Sequence, residues 1–253
     1  TLGGELFLRP YGTFPHPNVL AGYLVLAMSL IILNFRFSMK SQFSIINFKT
    51  LLFIVSLVIG TTALFLTLSR VAILLWLIII GSWLIVCDIK KIKLKTSIFY
   101  ILFSIFALIL VSWLFLESPL NIRFTDIKWT DESIVQRESL IQSSITMIKD
   151  GPVFGVGLNN FLVNLPSKEI IQPVHNIFVL IAAETGIVGL GFFIWFIFKT
   201  FSRITNHKSL FIILFSVLIL GMFDHYFLTL QQGQLLLALI FGLCWSDPKT
   251  SRR

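Results

Sequence analysis

Seven apolar stretches, at roughly 18–35, 51–68, 71–87, 97–116, 177–198, 209–223 and 230–246, constrain this chain more than any other feature. A helix crossing the hydrocarbon layer needs about 20 mostly apolar residues, and somewhat shorter stretches span with interfacial anchors. One such stretch reads equally well as a buried helix of a soluble domain, but seven in 253 residues do not. Only 13% of the residues are charged, where a water-soluble domain carries about 25%. The expected fold class is therefore an all-α polytopic membrane protein, with residues 1–253 forming a single membrane domain of about seven transmembrane helices. The last two stretches, separated around Asp224-His225-Tyr226, read alternatively as one re-entrant pair. Cys87 and Cys244 both lie in apolar stretches and indicate no disulfide framework.

The net charge of +8 has two readings, a nucleic-acid footprint or membrane orientation. Its distribution decides. Segments 36–50 (Arg36, Lys40, Lys49), 88–96 (Lys90, Lys91, Lys93, Lys95), 199–208 (Lys199, Arg203, Lys208) and the tail after 246 are each net positive. They alternate with neutral or acidic connections that hold only Arg70 as an excess positive charge. Cytoplasmic loops gather Lys and Arg, so these four segments face the cytoplasm. Residues 1–17, Arg70, the long connection 117–174 and Asp224 then face outward. No nucleic-acid partner is expected.

Segment 117–174 is too long for a plain connector and is expected to be an extracytoplasmic loop with its own order. Ser133 and Gln136 fit a capping box, Ile134, Ile141, Ile145 and Ile148 fall on one helical face, and Gly151-Pro152 supplies a stop. An amphipathic helix over about 134–150 is expected, lying along the outer membrane surface or the protein's outer face. Arg137 sits in its first turn near the apolar stripe, either snorkelling or paired at the surface, or turned toward a site.

The remaining polar residues collect at the outward ends of the stretches. Arg70, between two of them, is either a snorkelling anchor or an anion site, since guanidinium grips phosphate through two parallel hydrogen bonds. In Pro15-His16-Pro17-Asn18, Asn18 reads as the N-cap of the first helix, and His16 is held in stiff extended backbone. His175-Asn176 opens the fifth stretch, with Gly186 and Gly189 on the face below His175, where small residues admit a closely packed helix. Glu184 points away from His175 on a straight helix and reads as a polar contact between helices. Asp224-His225 fills the last outward turn, by default as a cap or anchor.

Together these pieces resemble the O-antigen ligase and polymerase family of membrane glycosyltransferases. The signature H-[NSQ]-x9-G-x2-[GTY] is met by His175-Asn176, Gly186 and Gly189. Gly12-Thr13-Phe14-Pro15-His16-Pro17-Asn18 is similar to the family's G-x-F-x-x-P-N segment, and Leu68-Ser69-Arg70 to its S-R helix end. Arg137 and Asp150-Gly151-Pro152 through Gly155-Val156-Gly157 resemble its long outer loop. Family members carry more helices before this region, so a chain starting at Thr1 is expected to be the C-terminal part of a longer enzyme.

The resemblance implies a GT-C-like fold in the bacterial plasma (inner) membrane, with the site facing outward. It implies transfer of a saccharide from an undecaprenyl-diphosphate carrier to a lipid or glycan acceptor, without cofactor, metal or nucleotide sugar. In that reading Arg70 and Arg137 bind the donor diphosphate, His175 is the base or orienting group for the acceptor hydroxyl, and Asn176, His16, Asn18 and Asp224 line the site. No acid cluster with metal-ligand spacing stands in the outward segments. Ligase and polymerase share donor and chemistry, and no residue separates them. A transporter is the alternative of a different class, and it requires ionisable residues at mid-membrane, where only Glu184 qualifies.

Overall fold

The computed structural model describes residues 9–38, 48–86, 132–166 and 171–246. Every regular element among them is helical: α1 (Pro17–Ser38), α2 (Phe48–Leu66), α3 (Arg70–Val86), α4 (Glu132–Asp150), α5 (Ile177–Arg203), α6 (Lys208–Phe223), the single turn α7 (Tyr226–Thr229) and α8 (Gln231–Trp245). Six of the seven apolar stretches fall on helices. The seventh, 97–116, lies outside the described residues, as do 117–131 and 167–170 of the long loop. Among the described helices, α5 is long and apolar enough to cross a membrane, and five apolar helices are shorter. Ile187, Phe192, Trp195 and Phe198 leave α5 with a large exposed apolar surface. Lipid accepts such a surface, and water does not.

The chain divides into two compact units, Thr1–Val25 with Val58–Asp131, and Leu26–Leu57 with Glu132–Arg253. In the first, α2 turns into α3 through Thr67-Leu68-Ser69, with Leu68 in the left-handed region at φ 55°. The Thr67 hydroxyl donates to the Leu64 carbonyl at 2.6 Å and accepts the Ser69 N–H at 3.3 Å. The Ser69 carbonyl takes the Ile73 N–H at 2.9 Å, so α3 starts at Arg70. Below the turn, the buried Trp76 indole N–H donates to the Thr61 hydroxyl at 3.2 Å, which satisfies the polar end of an otherwise apolar side chain.

In the second unit α4 packs on α5, but on a different face from the one its isoleucines suggest. Leu140 and Met147 are 1% and 4% exposed and cluster with Phe161, Val174, Leu180 and Ala183. Ile141 and Ile145, in the centre of the isoleucine stripe, are 44% and 40% exposed. At 100° per residue the two faces lie about 120° apart. Leu140 and Met147, with the small Ser143 and Ser144 buried between them, form the contact face, Ile148 packs at its edge, and Ile141 and Ile145 stay outside. The helix also starts at Glu132, so Ser133 lies inside its first turn instead of capping it. It stops where expected, at Asp150, with the Gly151 N–H bonded to the Met147 carbonyl at 3.0 Å.

α5 is broken in its middle. Gly186 has φ 65° and ψ −166°, a conformation that essentially only glycine adopts. The break interrupts the helical ladder around it, including the bonds from residue 187 to 183 and from 188 to 184. The loop after α4 takes up the four groups of these two bonds. The N–H groups of Val156 and Gly157 donate to the carbonyls of Ala183 and Glu184 at 3.0 and 2.9 Å, and those of Ile187 and Val188 donate to the carbonyls of Pro152 and Val153 at 2.9 and 3.4 Å. At its far end α5 is held to α8: the Trp245 indole donates to the Thr200 hydroxyl at 2.9 Å, and the Arg203 guanidinium lies 5.2 Å from the Trp245 ring centroid.

Candidate functional site

Asn176 is the N-cap of α5. Its side-chain oxygen accepts the N–H groups of Phe178 and Val179 at 2.9 and 3.1 Å, and its Nδ2 donates to the Met222 carbonyl at the end of α6, at 3.1 Å. A residue expected to line the site is thus engaged in fixing its frame. One amide satisfies orphan groups at two helix ends and ties the start of α5 to the end of α6. His175, one residue earlier, is held where that frame directs it.

The end of α6 supplies the neighbours. Asp224 is extended there, and its Oδ1 accepts the His225 N–H at 2.8 Å. The His225 ring meets the His175 ring edge-on, with centroids 5.1 Å apart and planes at 87°. One ligand-capable atom from each of His175, Asp224 and His225 lies within 4.8 Å of the others. This grouping joins two turns that are distant in sequence, which is why no spacing pattern announced it. Tyr226 is fully buried beside them, and its hydroxyl has no hydrogen-bond partner among the described residues. Burial, and then the charge of Asp224, hold that phenol well above its ordinary range.

Burial pushes the His175 imidazole below its ordinary value, and the positive charge of Arg137 acts in the same direction. Asp224 and the Pro173 backbone oppose them. The balance keeps the ring neutral near pH 7, with a buried Nδ1 that has no hydrogen-bond partner among the described residues. A neutral imidazole beside a carboxylate and a guanidinium can take a proton from a hydroxyl, and the acid offsets the imidazolium that results. Arg137 stands exposed on α4, close enough to act on His175 and free in its outer reach to meet an anion.

His16, Asn18 and Arg70 belong to the first unit. Asn18 is not the N-cap of α1. With Pro17 at the first helical position, a place its ring suits, the cap falls to His16. The Asn18 N–H donates to His16 Nδ1 at 3.1 Å, and the His16 carbonyl accepts the N–H groups of Val19 and Leu20. Asn18 instead accepts from Arg9 Nη2 at 3.0 Å, while Arg9 Nε donates to the Thr67 carbonyl at 2.6 Å. Arg9 therefore pins the segment before α1 to the α2–α3 turn from which Arg70 emerges half-buried. No sequence signal marked Arg9, because its partners are a backbone carbonyl and a distant side chain.

Gly186 and Glu184 also have roles that differ from their straight-helix readings. Gly186 receives the backbone of Val153 and Phe154, not a neighbouring helix, and a methyl there would collide with it. Gly155 makes the reciprocal approach to Glu184, at φ 69°. A methyl at Gly189 would meet the Thr185 side chain of its own helix. Glu184 Oε1 accepts the Phe161 N–H at 3.2 Å, fastening the loop and not a second helix.

A protein-family model described as O-antigen ligase matches residues 55–194. That span runs from within α2 to just beyond the break in α5, and it holds Arg70, Arg137, His175, Asn176 and Gly186. No curated protein matches the chain.

Proposed function

We propose, since this chain belongs to the O-antigen ligase family, that it transfers a saccharide from an undecaprenyl-diphosphate carrier to a lipid or glycan acceptor at the outer face of the bacterial plasma membrane. Members of the family are membrane-integral glycosyltransferase-like enzymes acting on lipid-linked saccharides. The observation that carries the reading is the half-buried His175 placed against Asp224 and within the field of Arg137. In the proposed step the acceptor hydroxyl attacks the anomeric carbon as the bond from that carbon to the diphosphate oxygen breaks. His175 takes the hydroxyl proton, and Asp224 offsets the imidazolium. The leaving diphosphate gains negative charge, which Arg137 stabilises through charge-assisted hydrogen bonds. Arg70 keeps the phosphate-binding role that the Leu68-Ser69-Arg70 motif implies. Asn176 supports His175 as cap and tie, and His16 and Asn18 order the segment before α1, which is the use their hydrogen bonds favour. A GT-C-like arrangement of about seven spans, with segment 117–174 outside, is part of the same proposal.

Glycan analysis of a strain lacking the chain tests it. Long saccharide chains stranded on the lipid carrier are expected. Single transferred repeat units would assign the polymerase reaction of the same family instead. Glycans identical to those of the parent strain would overturn the proposal.

A further inference from the structure

We infer that His175, Asp224 and His225 form a binding site for a borderline divalent transition ion such as Zn2+, and that the ion switches the transferase off. The inhibitory half of this inference rests on the transfer reading above; the binding half does not.

The three groups bring their ligand atoms within 4.8 Å of one another. Two imidazoles on one tetrahedral ion, at about 2.0–2.1 Å each, have ring centroids roughly 5 Å apart. The rings of His175 and His225 are 5.1 Å apart. Their perpendicular planes do not disturb the match, because rotation about a metal–nitrogen bond leaves the centroid in place. His175 brings a half-buried ring whose Nδ1 has no hydrogen-bond partner among the described residues.

The Thr229 hydroxyl beside one ring nitrogen of His225 can set the tautomer that a metal ligand needs. Its Nδ1 lies 2.6 Å from Thr229 Oγ1, and that hydroxyl also reaches the His225 carbonyl at 3.2 Å. A carbonyl only accepts and a hydroxyl has one proton to donate. With the hydroxyl proton given to the carbonyl, Nδ1 donates to Thr229, and Nε2 is the nitrogen that would meet the ion. This is the outer-shell arrangement that fixes metal-binding histidines. The donor set also selects the ion. Two imidazoles and one carboxylate suit Zn2+ or Co2+, with a fourth position left for water, whereas Mg2+ and Ca2+ ask for oxygen ligands throughout. An ion so bound occupies the His175 lone pair and the Asp224 carboxylate, the two groups the transfer step requires.

The test uses the full chain in detergent, titrated with Co2+ alone and followed by the visible ligand-field bands of a four-coordinate ion. One Co2+ per chain is expected, displaced by Zn2+. His225→Ala and Asp224→Asn should abolish the bands, and Thr229→Val should weaken binding about 10–100-fold. His225→Gln replaces His225→Ala if the latter loses its helical circular dichroism. Absence of one-to-one binding, or binding that all these substitutions leave unchanged, overturns the site. In membranes, Zn2+ should stop saccharide transfer and a chelator restore it; transfer that continues with the ion bound overturns the switch. A chain that binds Co2+ but transfers nothing sinks the transfer reading alone, and one that transfers but binds no Co2+ sinks the metal site alone.

Discussion

Gly186 and Val153 approach so closely that no side chain fits between them: the glycine sits at φ 65° in the break of α5, and the Val153 carbonyl accepts the N–H of Val188 across it. The break exists because the loop after α4 fills it, and the loop is ordered because the break receives it.

Gly186→Ala sets a side chain into that contact and into a backbone conformation closed to it. Strain of this kind costs about 1–3 kcal/mol before the collision is added. The variant should melt several degrees below the parent in detergent. The amides of Val156 and Gly157 should exchange with solvent faster while those of α8 do not. Unchanged exchange at these two amides would show that the loop does not depend on the glycine.

Glu184 separates the enzyme from the transporter reading. Its Oε1 accepts the Phe161 N–H at 3.2 Å, a task for an oxygen and not for a charge. Glu184→Gln should therefore leave transfer within a few-fold of the parent. Glu184→Ala, which strips the Phe161 N–H of its acceptor, should cost about 1–3 kcal/mol of stability. Complete loss of function in Glu184→Gln at normal membrane levels would favour a charge-carrying role.

Arg137→Ala, Arg70→Ala and His175→Ala should each lower saccharide transfer by at least about 10²–10³-fold while the chain still inserts. Lysine at either arginine should restore little, because a point charge does not reproduce two parallel hydrogen bonds to phosphate. The measurement is transfer in membranes, normalised to chain level on a blot. Near-parental glycoconjugate from all three alanine variants would remove the assignment.

Asn176 has two jobs that substitution can part. Asn176→Ala loses the cap, worth about 1 kcal/mol, and the bond to Met222. Asn176→Asp keeps the acceptor for Phe178 and Val179 but offers no N–H to the Met222 carbonyl. Thermal unfolding should rank the parent first, and both variants should lose transfer because the connection that aims His175 toward Asp224 is gone. An Asn176→Asp chain as active as the parent would show that the cap alone suffices.

Most helices were legible because apolar length is a one-dimensional property, and six apolar stretches became helices at nearly their expected bounds. The packing of α4 was not. In a chain with apolar neighbours on several sides, an exposed Ile141 and a buried Leu140 look alike in sequence, since apolar character no longer means inward. Nor did the signature glycine disclose its use. Glycine is common in membrane helices as a packing residue, and only the partner backbone at Pro152–Gly157 shows that Gly186 opens the helix. A motif drew attention to His175 and none to Arg9, because Arg9 acts through a carbonyl, that of Thr67, which any residue would supply. The meeting of His175 with Asp224 and His225 depends on how two separate turns are brought together, and that is set by the amide of Asn176.

The splice between α5 and its loop sets a rule for exchanging parts between this chain and its relatives. The half of α5 that follows His175 runs about ten residues, roughly 15 Å of helix, before its hydrogen-bond ladder passes to the loop at Pro152–Gly157. A graft that carries the loop without the span, or the span without the loop, strands donors on one piece and acceptors on the other. The two segments form one inheritable block, and a functional chimera must cut before Gly151 and after Val188, never between.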